Sequence, residues 1–461
     1  MNATTSHKTS GFNFEVFHKI IGHLFFATLF IYACVYAVER ITYVDSAWLA
    51  FERINGETFS FPGDRFAAFF SQIPLYLATK FHLPFKALVY IFSTSYVLLY
   101  FLIWRICTYT LKSPVAGLVV MFGMFMGVRE AFLHTVSETH QCFAYSGLLF
   151  ALLSYNFNSR AIKYSVIPFT TLLVLYSHPL GIFTASFALG YFFVLRRELR
   201  NVTIYIVAFL ILAFALLNII HPPNVYDEAQ YSALTSGSGS DSFLKSGALN
   251  FLKIHFTHFY WLPELAGLIV FVWLVFRREY VKSVVLLLGV VGYVLIAAIT
   301  FRAGDSSIMI ERAFLPACFM INLAMADLLF RLNPRIRWIP VVLVLFFTVF
   351  GIRYINAGCL MYKKRVAYLD ALVQRGIKGE NDKYILDQGQ ADKEKILVPW
   401  ALGAETLIYS KFRYDRCVTI TMEPEACPGD YARIIKELCL PVGELNSEYF
   451  ALSDKPYSPL P

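Results

Sequence analysis

Asp45 is the residue of this sequence best placed to do chemistry, because it follows closely on the first long apolar segment, Ile20–Val38. Trp48 comes three residues later, followed by Glu52 and Arg53. A carboxylate partly withdrawn from water by such neighbours is expected to have a raised proton affinity and to act as a general base. A second interpretation is structural, because DSAWLAFERI is also a good helix start with Asp45 as its N-cap.

Arginines in the loops could hold an anion beside this acid, since a guanidinium can bond two phosphate oxygens at once. Arg302 and Arg312 bracket the loop FRAGDSSIMIER, and Arg65 begins a second apolar stretch of the first long loop. The alternative is a salt-bridged loop in which Arg302 pairs with Asp305 and Glu311 pairs with Arg312.

The loop VREAFLHTVSETHQC, residues 128–142, is rich in groups that can titrate or bind. Glu138 is the acid that we expect to join the site, whereas Glu130 can pair with its neighbour Arg129. The alternative for the whole loop is a solvated connection. The loop also carries His134 and His140.

Histidines elsewhere in the chain give weaker signals. His178 lies in LYSHPLG, a tight turn between two apolar segments, where it could contact a substrate or simply suit the turn. His255 and His258 could share one face of a helix, but no acid is closer than Glu264, so we expect no metal there.

Composition indicates that these residues belong to a protein that spans a membrane many times. The 461 residues are 57% hydrophobic and 16% charged, with a mean hydropathy of +0.56, whereas a soluble protein has roughly 25% charged residues. The net charge of +8 is not accompanied by a nucleic-acid-binding motif, so no nucleic-acid partner is expected.

Eleven apolar segments are predicted to span the membrane as helices. Together they predict an all-α polytopic membrane protein. The predicted spans are Ile20–Val38, Phe85–Trp104, Pro114–Val128, Cys142–Tyr155, Tyr164–Tyr176, Pro179–Leu195, Val202–Ile220, Pro263–Phe276, Val281–Thr300, Ala313–Phe330 and Trp338–Ile355.

The distribution of basic residues predicts the orientation. One set of alternate loops, beginning with the N-terminus, holds 15 Lys and Arg in 57 residues, and the other set holds nine in 114. Because basic loops remain in the cytoplasm, the N-terminus is predicted to be cytoplasmic and the C-terminus exoplasmic. The acids and histidines described above then lie on the exoplasmic face.

Two exoplasmic segments, Phe66–Thr79 and Gly247–Leu262, are predicted to be interfacial helices. Beyond residue 357 charge rises, which predicts a transmembrane domain over 1–357 and a small α/β domain over 358–461. Strands are expected at KILVPW and CVTITM, and helices at VAYLDALVQRG, LGAETLIYS and DYARIIKELC. The tail cysteines are either free thiols or a disulfide, Cys417–Cys427 or Cys427–Cys439.

The stretch TYVDSAWLAFERINGETFSFPGDRFAAFFSQIPLYLATKFHLP, set between the first two spans, resembles the first exoplasmic loop of the GT-C superfamily of membrane glycosyltransferases. Members of that superfamily have many spans, two interfacial helices in this loop and an essential acid just after the first span. The bacterial types closest in layout are the protein O-mannosyltransferases and the aminoarabinose transferases, and the resemblance covers about residues 1–357. Many members have two adjacent acids, whereas Ser46 follows Asp45 here, so the resemblance leaves open whether a divalent metal is held.

The resemblance implies an integral-membrane enzyme, in a bacterial inner membrane, that transfers a sugar from a polyprenyl-phosphate donor to a lipid-linked, glycan or protein acceptor. Asp45 would take the acceptor proton and Glu138 would be a second acid of the site. The residues expected to bind substrate are Arg65, Arg129, His178, Arg302 and Arg312.

The rival hypothesis is a transporter or flippase of lipid-linked glycans. Transporters tend to have repeated halves and ionisable residues within their spans, whereas this sequence shows no repeat and gathers its ionisable residues at one face. The sequence also lacks phosphate-cradling and dinucleotide-binding glycine motifs, which agrees with a donor that arrives already activated.

Overall fold

The computed structural model describes residues 14–61, 64–135, 137–196, 201–221, 228, 260–300, 307–332, 338–392, 394–422 and 445–461, without the side chains of 298–300 and 307–310. Fifteen α-helices and one small sheet are found in this part of the chain. The helices that precede residue 200 are α1 Phe14–Val35, α2 Ala37–Ile41, α3 Asp45–Gly56, α4 Phe69–Lys80, α5 Phe85–Arg105, α6 Pro114–Gly123, α7 Glu138–Ser154, α8 Arg160–Leu175 and α9 Gly181–Arg196. The later helices are α10 Val202–Ile220, α11 Trp261–Phe276, α12 Tyr280–Thr300, α13 Ser307–Arg331, α14 Trp338–Lys378 and α15 Leu402–Tyr414.

Six of the described helices are long and apolar enough to cross a membrane, which indicates an integral membrane protein. They are α1, α5 with its π-helical extension to Thr110, α10, α12, α13 and α14. Each of the eleven predicted spans overlaps a described helix, but five of these helices are not among the six candidates. Three of the five, α6, α9 and α11, are apolar helices of 10 to 17 residues, and α7 and α8 have 17 and 16 residues. The helix in Pro114–Val128 ends at Gly123.

Burial separates a central helix from peripheral ones. The apolar part of α13 is 94% buried inside the protein, whereas that of α10 is 22% buried. On α10, Phe209 and Leu212 expose 68% and 60% of their surface. An apolar face this exposed is suited to lipid, so α13 is the internal scaffold of the bundle and α10 lies at its edge.

The last spanning helix, α14, is continuous for 41 residues and passes through the predicted boundary between residues 357 and 358. At 1.5 Å per residue its length is about 60 Å, about twice the hydrocarbon thickness of a bilayer. Its first half is apolar and its second half carries Arg365, Asp370 and Arg375. The division into 1–357 and 358–461 stays a prediction.

The C-terminal region contains a parallel sheet of order β2–β1–β3, formed by β1 Lys383–Leu386, β2 Thr419–Met422 and β3 Ser458–Pro459. Lys383 pairs with Thr419, and Tyr384 pairs with Ser458. The strand predicted in CVTITM is confirmed. The strand predicted at KILVPW is wrong, because this segment forms a turn and then a 3-10 helix, Pro399–Ala401, whose first position suits the missing N–H of proline.

The predicted helices in LGAETLIYS and VAYLDALVQRG are confirmed as parts of α15 and α14, and Phe66–Thr79 forms a 3-10 turn followed by α4. Most of the predicted helix Gly247–Leu262, the segment DYARIIKELC and both predicted disulfides involve residues outside the described ranges.

Candidate functional site

Asp45 is presented by a tight turn between α2 and α3. The backbone N–H of Ser46 donates to the carbonyl oxygen of Tyr43 at 2.7 Å, and Val44 inside this turn has φ 37° and ψ −108°. Val44 is the N-cap residue of α3 and makes no side-chain capping hydrogen bond, and Asp45 is the first helical residue. The structural interpretation of Asp45 as an N-cap is therefore wrong.

The Asp45 carboxylate instead contacts two side chains that are distant in sequence. Its Oδ2 lies 2.9 Å from Nε2 of His134 and 3.6 Å from Nη1 of Arg312. Arg312 Nη2 is within 3.2 and 3.3 Å of the two ring nitrogens of His134, so the guanidinium lies against the imidazole. The side chain of Asp45 is 38% exposed and that of His134 is 2% exposed. The site thus joins a water-accessible carboxylate to a buried histidine and a cation.

The charges around Asp45 reverse the expectation of a raised proton affinity. Burial by itself would raise the pKa of the Asp45 carboxyl, but the hydrogen bond from His134 and the positive charges of Arg312 and Arg65 outweigh it and hold the pKa well below its usual range. The prediction of a carboxylate with a raised proton affinity is wrong for this state. Asp45 is ionised at any physiological pH.

His134 is neutral in the same cluster. Burial and the nearby Arg312 lower the pKa of its imidazole, although Asp45 acts in the opposite direction. Because Asp45 can only accept a hydrogen bond when ionised, Nε2 of His134 must carry the proton. Nδ1 is then left as an acceptor on the side of Arg312.

Glu138 and Arg65 form a second ion pair beside this cluster. Arg65 Nη1 lies 3.6 Å from Glu138 Oε2, and the Glu138 side chain is 4% exposed. Glu138 is the first residue of α7, whose N-cap Ser137 accepts a hydrogen bond from the N–H of His140. The charges of Arg65 and Glu138 influence Asp45 and His134 respectively. Four residues predicted from the sequence, Asp45, Glu138, Arg65 and Arg312, are therefore electrostatically connected.

Glu311 does not pair with the adjacent Arg312 as the salt-bridge alternative proposed. Its carboxylate accepts the backbone N–H groups of Arg129, Glu130 and Ala131 at 2.6, 2.8 and 3.0 Å. Glu311 is buried, so a single carboxylate on α13 fixes the start of the loop that carries His134.

The rest of this loop is held by other contacts. The buried guanidinium of Arg40 donates to the carbonyl of Phe132 and lies 4.1 Å from the centre of its ring. Arg129 directs Nη2 to Sδ of Met361 on α14, at 2.7 Å. A Cβ atom at Gly358 would lie 2.5 Å from the carbonyl oxygen of Arg129, so this close approach requires glycine. Arg129 thus packs on α14, and no described contact joins it to Asp45.

His178 and Arg65 line a cavity of about 350 Å³ beside the cluster. Nδ1 of His178 accepts the N–H of Leu180 at 3.1 Å, and burial, with the charges of Arg65 and Arg312, lowers the pKa of its imidazole well below the ordinary value. The wall is mainly apolar with polar groups at a few points, as expected of a ligand pocket. The other lining residues are Asp64, Phe66, Leu175, Tyr176, Pro179, Phe214, Leu217, Asn218 and His221.

The residues around Asp45 fit a divalent metal poorly. Ser46 stands where a second acid would be needed, and it accepts a hydrogen bond from the N–H of Thr135 at 3.2 Å. Two nearby arginines and the occupied Nε2 of His134 further oppose a cation. Among the described residues, Glu57, His82 and Glu448 have ligand atoms within 4.8 Å of one another, but Lys80 Nζ is 2.9 Å from Glu57.

Arg302 lies outside the described residues. His134 is a site residue that the sequence analysis noticed in its loop but did not select, and no local spacing marked it, because its partners Asp45 and Arg312 are 89 and 178 residues away in the chain. Comparisons with models of protein families, with curated proteins and with solved structures found no match to this chain.

Proposed function

We propose that this protein is an integral-membrane glycosyltransferase that uses a polyprenyl-phosphate sugar as donor. The observation that carries the proposal is the cluster at the start of α3. There the ionised carboxylate of Asp45 is accessible to water, Arg312 lies 3.6 Å from it, and the positive charges of Arg312 and Arg65 both lower its pKa. Transfer of a sugar from a lipid phosphate needs a group that accepts a proton and cations that stabilise the departing phosphate. Both are supplied here by the chain itself.

In the proposed reaction, the acceptor hydroxyl attacks the anomeric carbon of the donor. The new bond joins the acceptor oxygen to that carbon, and the bond from the carbon to the phosphate oxygen breaks. The leaving polyprenyl phosphate keeps the electron pair, and the hydroxyl proton passes to Asp45. Nε2–H of His134 orients the carboxylate at 2.9 Å, in the manner of a base held by a fixed partner.

The low proton affinity of Asp45 fits this reaction if the donor binds first. Arg312 and Arg65 both depress the pKa of Asp45, and both are suited to a phosphate. A bound phosphate would attract these guanidinium groups and offset their positive charge. Asp45 would then recover proton affinity when the leaving group is in place, which limits its action as a base to the loaded enzyme.

The cavity beside the cluster supports a lipid-linked donor. Arg65 stands at the cavity and also pairs with Glu138 of the cluster. Phe66, Phe214 and Leu217 supply an apolar wall, and α10, which carries the last two, is the peripheral helix with the exposed apolar face. A phosphate near Arg65 could therefore keep its isoprenoid chain on an apolar surface continuous with lipid.

The test is a transfer assay with purified protein in lipid nanodiscs, a set of polyprenyl-phosphate sugars and candidate glycan, lipid A and protein acceptors. Asp45→Asn should reduce turnover by about 10²- to 10⁴-fold, the usual contribution of a general base. The control is Asp415→Asn, which changes an exposed aspartate of the C-terminal region and should leave turnover unchanged. Equal turnover of wild type and Asp45→Asn would refute the proposal.

The same preparation separates the enzyme from the rival flippase. Reconstituted in vesicles, a flippase would move a lipid-linked glycan between leaflets without forming a glycosidic bond. Movement without transfer for every donor and acceptor would favour the flippase, whereas sugar transfer dependent on Asp45 would exclude it as the sole activity.

A further inference from the structure

The turn that presents Asp45 has a backbone conformation unsuited to its sequence. Val44, with φ 37° and ψ −108°, is near the geometry of the first central residue of a type II′ turn, a position that favours glycine. A β-branched residue rarely adopts positive φ, because its Cβ then crowds the backbone. Such a conformation persists only where the surroundings enforce it.

Side chains from beyond residue 360 contact the backbone on this turn. Oε1 of Glu405, on α15, accepts the N–H of Val44 at 3.0 Å. The hydroxyl of Tyr362, on α14, donates to the carbonyl oxygen of Thr42 at 2.5 Å, and Nη1 of Arg365 donates to the same oxygen at 3.3 Å. The backbone on both sides of Tyr43 is thus hydrogen-bonded to residues more than 300 positions away.

These side chains are themselves fixed. Glu405 is fully buried, and its Oε2 forms an ion pair with Nη2 of Arg365. Arg365 also donates from Nε to the carbonyl oxygen of Lys395 at 2.8 Å. A carboxylate buried this completely requires a partner, and here the partner is the arginine that contacts Thr42. The hydrogen bond from Val44 to Glu405 and the hydrogen bonds from Tyr362 and Arg365 to Thr42 are therefore made by one connected group of side chains.

Helix α3 packs against α15. Ala47, Ala50 and Ile54 are fully buried in a cluster with Ala404, Leu407 and Ile408 of α15. The side chains of Trp48 and Trp400 meet edge to face at 6.2 Å. The helix that begins with Asp45 therefore has its apolar face against the C-terminal region, while its first carboxylate points to His134.

We infer that α15 and the second half of α14 act as the positioning element of the Asp45 site, with Glu405 as the positioning residue. Glu405 and Arg365 hold the turn at Val44 in a conformation that it would not keep alone, and this aims the carboxylate at His134. The inference rests on the proposed function only in taking Asp45 as the working acid. Loss of these contacts should loosen the turn before it disturbs the helical bundle.

The experiment measures amide hydrogen exchange by residue-resolved mass spectrometry on the full chain in detergent micelles. Glu405→Ala removes the acceptor, and exchange of the Val44 amide should rise by about tenfold or more, the effect of one lost hydrogen bond in a locally opening segment. Glu405→Gln keeps an oxygen that can accept this N–H, so its exchange should lie between those of Glu405→Ala and wild type.

The matched control is Asp370→Asn. Asp370 also joins α14 to α15, through the hydroxyls of Tyr409 and Tyr414 at 3.0 and 2.5 Å, but it has no described contact with the turn. Exchange of the Val44 amide should stay at the wild-type rate in this variant. A wild-type rate in Glu405→Ala, or an equal rise in Asp370→Asn, would overturn the inference.

Tyr362→Phe is the test of the inference if Glu405→Ala does not fold. It removes one hydroxyl from Thr42 and keeps the ring, so it should increase exchange across residues 42–46 while α7 and α13 keep their wild-type rates. No local increase would overturn the inference. Because exchange requires no catalysis, a faster Val44 amide in a protein without transferase activity would leave the inference standing and refute the proposed function alone.

Discussion

Replacing Val44 by glycine should be almost free of cost for stability, although valine-to-glycine changes are usually destabilising. The reason is the φ of 37° at Val44, which glycine adopts as readily as negative values. The side chain of Val44 is half-buried against the main apolar core. The variant therefore loses some packing and gains relief from strain.

The magnitudes nearly cancel. Strain at a residue held in such a sparsely populated region is about 1–3 kcal/mol. Glycine offsets about 0.5–1 kcal/mol of the strain that is relieved, because the unfolded chain has more conformational freedom at glycine and loses it on folding. Burying a whole valine side chain contributes about 1.5–3 kcal/mol, so a half-buried one contributes about 1 kcal/mol. The net change in the free energy of unfolding should therefore lie between a loss of about 1 kcal/mol and a gain of about 1.5 kcal/mol.

Val38→Gly provides the matched comparison. Val38 is half-buried against the same core and lies in α2, six residues before Val44 and with no positive φ. It should lose about the same packing and, as at Val44, about 0.5–1 kcal/mol for the conformational freedom of glycine, without relief of strain. The free energy of unfolding, measured by reversible SDS titration in mixed micelles, should be lower in Val38→Gly by about 1–3 kcal/mol than in Val44→Gly.

Equal losses in the two variants would refute the reasoning, because they would show that Val44 stores no strain. A loss in Val44→Gly larger than in Val38→Gly would refute it more strongly. The positioning role of Glu405 would then lose its physical basis, since an unstrained turn keeps its conformation without a hydrogen bond from α15.

Glu311→Gln should lower the free energy of unfolding by about 1–3 kcal/mol, because the amide oxygen can keep the two hydrogen bonds that Oε1 accepts but the partly buried N–H of Glu130 loses its acceptor Oε2; the exposed Glu15→Gln should change it by about 0.5 kcal/mol or less, and equal effects of the two changes would contradict this role of Glu311. For Asp45, the folded-state pKa is depressed, so its ionisation contributes stability above the unfolded pKa of about 3.9 and this contribution fades as the pH falls through that value towards the folded pKa. The difference between the thermal midpoints of wild type and Asp45→Asn should accordingly be constant near pH 7 and begin to narrow only as the pH falls below about 4, and a difference that stays constant through the acid range would show that Asp45 keeps an ordinary pKa.

Sequence reasoning located the helices because each helix satisfies its own backbone hydrogen bonds and needs only a long apolar run to be stable in lipid. It also placed Asp45, Glu138, Arg65 and Arg312 in loops or at helix starts on one predicted face. It selected Arg312 as a candidate phosphate-binding residue of a loop, whereas the structure places Arg312 in the first turns of α13, where it also lies against Asp45. It could not locate β1, because four residues in a parallel pair depend on strands that lie far away in the chain.

Tertiary structure decided which groups meet. Glu311 and Arg312 looked like a pair because they are adjacent, but neighbours on a helix point about 100° apart and do not face each other. Glu311 therefore binds the loop backbone, and Arg312 reaches Asp45 and His134 across the bundle. The sequence by itself determined where apolar helices form and which charged residues stand near their ends. The packing of distant helices determined the partners of those charges, and through the partners it determined the proton affinity of Asp45.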